Sequence, residues 1–345
     1  MTVWHAIRKR IICPPRVTIH GVDRGRIVSF RCGSWRACRY GGNNLNMVNP
    51  WDQDESYDYS DLWLGTKTVS RRINHKISGN ESVNWVEYAL AAYIVRDDPH
   101  KRCLVLGASE GHVERTLRKG EYSGYILSTD IADRALKRAR ERSCALGYSN
   151  IEYRVADLNT DRFDGPFDYI IAEGVLHHIE RTEECLTHLR DILAPGGLLI
   201  AVEFEGPFRF QLTEPQVRWI NAALSIVPLE FRPLSGNVSG VPADIEYMQR
   251  VHYVVASEES VRNIDPSEAA AGPRLKLLMP AIFNIVERKG FGGTLLSYMS
   301  GHFPFDQANA DARVDRWLRV LLDIEDAVIE TGLLEDEFVF YVAKS

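Results

Sequence analysis

The chain has 345 residues, of which 45% are hydrophobic and 26% are charged, and its formal net charge is −6 at pH 7. This length allows one large or two modest domains, and the composition is that of a globular protein. Every apolar run is shorter than the ~18 residues that a membrane-spanning helix needs. Because Arg8, Lys9 and Arg10 interrupt the first apolar stretch, we expect no signal peptide.

The cysteines favour a reducing compartment. None of the six belongs to a CxxC pair or has a metal-binding spacing with histidine, which indicates a cytoplasmic protein. They are Cys13, Cys32, Cys38, Cys103, Cys144 and Cys185.

Charge is unevenly distributed along the chain. Residues 1–40 carry nine Lys or Arg against the single acid Asp23, whereas residues 41–345 sum to −14. The acidic main part argues against nucleic acid as its partner. Trp4, Ile7 and Ile11 have helical spacing beside basic residues, so residues 1–12 are either a peripheral membrane contact or a solvated or docked arm.

The predicted elements alternate after a loop-like linker. Residues 1–60 form the basic arm and linker, and a helical pair follows over 61–76 and 82–95. Short apolar strands then alternate with helices, which predicts an α/β fold with a mostly parallel sheet covered on both faces. The strands are expected near 102–107, 124–130, 151–155, 167–173 and 197–204, and the helices near 111–119, 132–147 and 181–194.

The remainder departs from this alternation. A helix near 213–225 and a loop-rich stretch make residues 206–273 an insertion at the carboxyl edge of the sheet, where ligand-covering elements lie in open α/β folds. Residues 274–345 are expected to complete the sheet, with a helical insertion. Their elements are predicted as a helix near 274–289, a strand near 293–299, a helix near 311–331 and a strand near 337–343.

The stretch "LVLGASEG" runs from a strand through a glycine turn into a helix. This geometry presents free N–H groups and a positive helix end to a ligand. Gly107 and Gly111 do not fit GxGxxG, which disfavours a dinucleotide fingerprint. Asp130 ends the next strand, where an acid can accept hydrogen bonds from ribose hydroxyls.

Five segments in order resemble the class I S-adenosylmethionine-dependent methyltransferases, of the small-molecule and glycan-type bacterial kind. They are "LVLGASEG", "STDIA", "VADL", "FDYIIAEGVLHHI" and "LAPGGLLIAVEF". The resemblance covers roughly residues 82–205, so that residues 61–205 are expected to be the S-adenosylmethionine-binding core with its preceding helices. It implies a Rossmann-like sheet that ends in an antiparallel edge. The position of residues 206–273 after the fifth strand predicts either a cover over the cofactor cleft that also holds the acceptor or a helical addition that only thickens the core.

The resemblance also implies roles for individual residues. The turn of Gly107, Ser109 and Gly111 would cradle the methionine part of S-adenosyl-L-methionine. The other cofactor-binding residues would be Asp130 at the ribose, Asp157 and Leu158 at the adenine, Glu173 facing the sulfonium, and Ile131, which follows Asp130. The chain departs from the family in two places, because Val105 replaces an acid and Ser109 replaces the middle glycine.

Methyl transfer requires alignment, exclusion of water and, for a hydroxyl nucleophile, a base. His177 and His178 follow the fourth strand and are the candidate bases, with Glu173 as a third catalytic candidate; Glu203 and Glu205 also lie at a strand end. Each of these side chains also has a purely structural interpretation. We expect no metal, because HExxH and cysteine–histidine zinc patterns are absent from the sequence.

The sequence therefore predicts a cytoplasmic methyltransferase that acts on a small-molecule or glycan-intermediate acceptor. Two alternatives stay open: a nicotinamide-dependent oxidoreductase, and a methyltransferase-like module that binds without catalysis. The acceptor and the oligomeric state do not follow from the sequence.

Overall fold

The computed structural model describes residues 19–23, 26–30, 51–52, 62–232 and 252–345. The basic arm over residues 1–12 lies outside these ranges. The strands are β1 (Ile19–Asp23), β2 (Arg26–Phe30), β3 (Arg102–Leu106), β4 (Tyr125–Asp130), β5 (Ile151–Val155), β6 (Phe167–Glu173), β7 (Leu193–Phe204), β8 (Asn284–Gly290) and β9 (Phe338–Lys344). The helices are α1 (Lys67–Ser78), α2 (Trp85–Ala92), α3 (His112–Lys119), α4 (Asp133–Ala145), α5 (Thr182–Asp191), α6 (Glu214–Ile226), α7 (Glu258–Ile264), α8 (Gly272–Ile282), α9 (Phe305–Ala308) and α10 (Ala312–Glu330).

Seven strands form one sheet in the order β5-β4-β3-β6-β7-β9-β8, and β1 and β2 form a separate antiparallel pair. The pairs from β5 to β7 are parallel, whereas β9 is antiparallel to both β7 and β8. The chain runs from β3 outward to β5 and then returns to β6 on the other side of β3. The carboxyl ends of β3 and β6 therefore form the topological switch point, where open α/β sheets bind their ligands.

The inner strands of the sheet are buried on both faces, as their near-continuous apolar sequences predict, whereas the edge strands β5 and β8 are partly exposed. Cys103 and Val105 of β3 pack with the layer that contains α1 to α4, whereas Leu104 and Leu106 pack with the layer that contains α5 and α8. The predicted α/β class, with a mostly parallel sheet and an antiparallel edge, is confirmed.

Local sequence explains where several helices begin. Asn84 caps α2 by accepting hydrogen bonds from the N–H groups of Val86 and Glu87, and the Glu87 side chain accepts from the Asn84 N–H in return. Thr213 caps α6 in a similar way, through the N–H of Gln216. These caps fix the starts of α2 and α6 close to their predicted positions.

Two predictions in the last third of the chain are wrong. The helix expected over 274–289 ends at Ile282, and β8 follows it at once. The strand expected near 293–299 is instead a loop that leads into a 3-10 turn over Leu296–Met299. In β8 exposed and partly buried residues alternate, as expected of an edge strand. A polar edge strand is hard to distinguish from the end of the preceding helix.

The insertion over residues 206–273 is described as far as 232 and again from 252. It contributes α6 and α7, and it returns to the sheet at α8. None of the helices in the described part of the chain is both long enough and apolar enough to cross a bilayer.

Candidate active site

The glycine turn between β3 and α3 has a left-handed backbone at three of its five residues. The φ angles are +69° at Gly107, +47° at Ser109 and +79° at Gly111. A Cβ on Gly107 would lie 2.7 Å from the Cβ of Val175, so the loop after β6 already fills that space. The backbone angle and the neighbouring loop therefore each require glycine at position 107, independently of any ligand.

Asp130 fastens this turn to the end of β4. Its Oδ2 accepts a hydrogen bond of 2.8 Å from the N–H of Ser109, and its Oδ1 accepts one of 2.8 Å from Ala132. Burial raises the pKa of Asp130, and the backbone N–H groups oppose that shift. The main-chain N–H of Ile131 also bonds this carboxylate, and the lone-pair capacity that remains on the two oxygens is what a ribose hydroxyl could use.

Asp157 and Leu158, which were predicted at the adenine, follow β5, and Ile131 follows β4. Asp157 uses Oδ1 to accept hydrogen bonds of 2.9 and 3.2 Å from the main chain and side chain of Asn159. Leu158 is buried, whereas Ile131 is 45% exposed. An exposed apolar side chain beside Asp130 is suited to contact with a flat ring.

Glu173 ends β6 at the switch point. Its side chain is half-buried and makes no hydrogen bond or ion pair within the described ranges. Gly174, with φ +58°, turns the chain away and donates its N–H to the oxygen of Val202. The carboxylate of Glu173 is therefore available to a ligand at this edge.

His177 lies in a 3-10 turn and is held by Glu203 of β7. Its Nδ1 is 2.8 Å from Oε2 of Glu203, whose Oε1 accepts hydrogen bonds from the N–H groups of Val175 and Leu176. Burial lowers the pKa of His177 well below its usual value and raises that of Glu203 to about 7. Once Glu203 is ionised it only accepts, so Nδ1 carries the proton and Nε2 keeps its lone pair.

His178 is held by the end of the insertion. Its Nδ1 is 3.1 Å from the hydroxyl of Ser267, which in turn donates to Oδ1 of Asp265 at 2.7 Å. Glu268 is fully buried, and its Oε1 lies 3.8 Å from Nε2 of His177. The sequence placed both histidines at the site but missed Asp265 and Glu268, because both lie in a different segment and belong to no spacing motif.

The linker also contacts the site, although no motif in the sequence predicted this contact. Trp51 packs edge-on against the ring of His178, with centroids 5.0 Å apart. Asp52 accepts hydrogen bonds from the main chain and side chain of Arg134 at the start of α4. Residues 51 and 52 thus join the His178 loop to the segment that follows Asp130.

Glu205 is the remaining carboxylate that the sequence placed at a strand end. Glu205 is buried and bonds Arg288 and Tyr341, which is a structural role. A carboxyl group also lies near Val105, where the resemblance leads one to expect an acid. Val105 pairs with Ser128, and the Ser128 hydroxyl donates to the fully buried Glu114.

Comparison with known proteins identifies the central region. Residues 104–199 match the family described as "Methyltransferase domain". The squalestatin hexaketide synthase of Phoma sp. is 34% identical over 122 residues, 32% of this chain and 5% of that protein. The methyltransferase calH of Penicillium decumbens is 31% identical over 128 residues, 33% of this chain and 34% of that protein.

Solved structures give similar results. The trans-methyltransferase CalH in complex with SAH is 31% identical, with a TM-score of 0.28, and the match covers 32% of this chain and 34% of that one. An S-adenosylmethionine-dependent methyltransferase from Mesorhizobium loti is 19% identical, with a TM-score of 0.41, and the match covers 75% of this chain and 98% of that one.

The matched region is much shorter than the proteins it matches. This chain spans 3% to 5% of the first polyketide synthases it matches. The matched residues nonetheless run from β3 into β7 and include the glycine turn, Asp130, Asp157, Glu173 and both histidines. Residues 104–199 are therefore a methyltransferase domain, which confirms the resemblance to the class I methyltransferases for this part of the chain.

Proposed function

We propose that the chain transfers the methyl group of S-adenosylmethionine to a small-molecule acceptor by in-line displacement. The observation that carries the proposal is the row of polar groups at the carboxyl edge of β3 to β6, within a methyltransferase domain. Along the edge the row runs from Asp157 after β5 through Asp130 at the end of β4 and the turn at Ser109 after β3 to Glu173 at the end of β6, which corresponds to adenine, ribose and methionine in that order, with the sulfonium facing β6.

In this proposal Asp130 binds the ribose hydroxyls. Its hydrogen bond from Ser109 couples ribose binding to the shape of the glycine turn, which receives the methionine part. Ile131 packs on the adenine, and Asp157 accepts a hydrogen bond from the adenine amino group beside Leu158. Glu173 faces the sulfonium, where a carboxylate stabilises positive charge.

His177 is the proposed base. Glu203 holds its Nδ1–H, so Nε2 is the nitrogen that can accept a proton. The acceptor's nucleophilic atom forms a bond to the methyl carbon as the bond from carbon to sulfur breaks. The proton of that atom passes to Nε2 of His177, and S-adenosylhomocysteine leaves.

The acceptor class rests on the relatives. Polyketide and hybrid polyketide–peptide synthases are among them, and this supports a polyketide-type carbonyl compound as the small-molecule acceptor. The buried setting of His177 and Glu203 suits an acceptor that is enclosed and desolvated. A glycan intermediate, a membrane contact of residues 1–12 and a cytoplasmic location remain predictions from the sequence.

Ligand binding followed by turnover tests the proposal. We expect the full chain to bind S-adenosylmethionine and S-adenosylhomocysteine by calorimetry and not NADH. We also expect it to form S-adenosylhomocysteine with at least one compound from a panel of β-carbonyl polyketide analogues and sugars.

Each alternative function has its own signature in these measurements. Binding of NADH in place of S-adenosylmethionine would support the oxidoreductase. Cofactor binding without turnover of any acceptor would support the non-catalytic module.

A further inference from the structure

The two histidines and Glu268 form a cluster that the proposed methyl transfer does not explain. The side chains of His177, His178 and Glu268 each offer one ligand atom, and these atoms lie within 4.8 Å of one another. His177 and Glu268 are buried, and the His178 side chain is 12% exposed. Ring nitrogens and carboxylate oxygens that are this buried need a hydrogen-bonding or ionic partner.

Both imidazoles have their Nδ1 occupied by a hydrogen bond. Oε2 of Glu203 lies 2.8 Å from Nδ1 of His177 and accepts its N–H, just as Oε1 of Glu203 accepts from the main-chain N–H groups of Val175 and Leu176. The Ser267 hydroxyl gives its one proton to Asp265, so it accepts from Nδ1–H of His178. Both rings are thereby in the tautomer that leaves Nε2 with a lone pair. Metal-binding histidines typically donate their other ring N–H to such partners, which orients the ring toward the ion.

Three carboxyl groups, those of Glu203, Asp265 and Glu268, are each at least 96% buried at the cluster. Oδ2 of Asp265 makes no hydrogen bond in the described part of the chain and lies 3.7 Å from Nδ1 of His178. The neighbouring Arg209 donates its Nη1 to the main-chain oxygen of Glu268. A divalent cation would give the Glu268 carboxyl group a partner, and its binding would release the proton of that group.

We propose that His177, His178 and Glu268 bind a divalent first-row transition metal ion such as Zn²⁺ or Fe²⁺, with Asp265 and Ser267 orienting the His178 ring. Ligand atoms about 2.1 Å from such an ion lie about 3.0–3.5 Å apart. The 3.8 Å between Nε2 of His177 and Oε1 of Glu268 is close to that value. Two imidazoles favour these metals over Mg²⁺ or Ca²⁺.

The sequence-based expectation of no metal conflicts with this proposal, and the reason lies in the chain's topology. The histidines follow β6, whereas Asp265 and Glu268 lie between α7 and α8. The main-chain N–H of Ala271 donates to the oxygen of His177 and joins the two segments. Spacing motifs detect ligands that lie close together in sequence, and this set does not.

Cobalt titration of the full chain tests the site. The chain is prepared without a polyhistidine tag and treated with EDTA, and Co²⁺ is added while visible absorption is recorded. We expect one Co²⁺ per chain, with the visible bands of a protein-bound ion, and its displacement by Zn²⁺. Binding that produces no such bands, or no saturable binding, would overturn the proposal.

Variants locate the ion. His178→Ala and the nearly isosteric Glu268→Gln should each weaken Co²⁺ binding at least about tenfold. The matched control is His112→Ala, which removes an exposed histidine on α3 and should bind as the parent does. Unchanged affinity in both cluster variants would show that the ion binds elsewhere.

A measurement on the unaltered chain covers the case in which the variants do not fold. Electron spin-echo spectra of bound Cu²⁺ should show two coordinated imidazoles. A spectrum with one imidazole or none would contradict the site.

Metal binding and methyl transfer can be tested separately. S-adenosylmethionine binding and turnover are measured on the EDTA-treated chain, so a failure there concerns the proposed function and not the metal. One consequence rests on the proposed function. Because an ion on Nε2 of His177 excludes a proton there, Zn²⁺ should inhibit turnover in proportion to its occupancy of the site.

Discussion

Asp130 connects the sequence motif to the geometry of the site, because one carboxylate holds both the glycine turn and the proposed ribose position. We expect Asp130→Ala to weaken S-adenosylhomocysteine binding by about 1.5–3 kcal/mol, since a charge-assisted hydrogen bond is lost. Calorimetry measures the change. Asp133→Ala is the control, because Asp133 is an exposed acid in the first turn of α4, paired with Lys137. Unchanged affinity in a folded Asp130→Ala chain would refute the ribose assignment.

Glu203 should set the pH dependence of turnover. Burial raises the pKa of Glu203 to about 7, and its ionised form places the proton of His177 on Nδ1. We therefore expect the rate to rise with pH through about 7, because only then is Nε2 the free base. Glu203→Gln should lower the rate and remove this rise. A rate profile that is the same in both chains would show that Glu203 does not position His177.

For single residues, the sequence predicted which side chains lie at strand ends, but it did not predict which side chains from other segments contact the site. Asp130, Asp157 and Glu173 all end strands or follow them, because an apolar strand marks its own carboxyl end. The contacts of Glu268 and Trp51 with the histidines depend on how distant segments pack. A local pattern contains no signal for such contacts.

At the scale of elements, the glycine turn offers a matched pair of substitutions. Gly107 and Gly147 have similar φ angles, +69° and +73°, but a Cβ on Gly107 would lie 2.7 Å from Val175 and one on Gly147 would meet nothing within 4 Å. Gly147→Ala should cost about 1 kcal/mol of stability and leave cofactor affinity unchanged. Gly107→Ala should cost more stability and also abolish cofactor binding. Equal effects of both on binding would mean that the turn does not contact the cofactor.

The end of the insertion should respond to the cofactor. The main-chain N–H of Ala271 joins the segment 265–271 to the oxygen of His177. Ala269 of this segment accepts a hydrogen bond from the main-chain N–H of Arg209, and both residues have positive φ angles, +50° and +51°. We expect hydrogen exchange in 265–271 to slow when S-adenosylhomocysteine binds, as in a cover that closes on its ligand. Protection of the Gly107–Gly111 turn with no change in 265–271 would argue against a cover.

The elements of the sheet differ in how far the sequence specifies them. Strands β3, β4 and β6 are largely buried and bounded by turn signals, whereas β5 alternates polar and apolar residues, and all four were predicted within a residue or two. Strand β8 has a polar pattern, with Glu287 bonded to Tyr88 and Tyr93 across the fold. Those bonds exist only after α2 packs beside the edge strand, so the local sequence of β8 continued to resemble a helix.

For the whole molecule, several carboxyl groups are buried without an opposite charge. Burial raises the pKa of Glu114 to about 7 and those of Glu268 and Glu337 to about 8. The folded chain therefore keeps protons that the unfolded chain has already lost. The contribution of these three groups to the free energy of unfolding of the metal-free chain should fall as the pH rises from about 5 to about 8, whereas the buried His177 and His178, whose pKa values are lowered, contribute in the opposite direction.

Denaturant unfolding at both ends of this pH range measures the effect. The expected loss is about 1–3 kcal/mol for each group. Glu337→Gln should reduce the slope, whereas Glu258→Gln, on an exposed and paired side chain, should leave it unchanged. The same pH dependence in the parent and in Glu337→Gln would contradict the prediction.

The position of β9 between β7 and β8 also affects how the protein is made. Residues 104–199 match a domain family, yet β7 finds its antiparallel partner only in Phe338–Lys344, far downstream. While a ribosome synthesises the chain, the edge of β7 stays unpaired through the whole insertion and α10. Between the synthesis of Phe204 and that of Phe338 the nascent protein thus exposes an apolar strand edge, and this is the stage at which it is most exposed to aggregation and most in need of a chaperone.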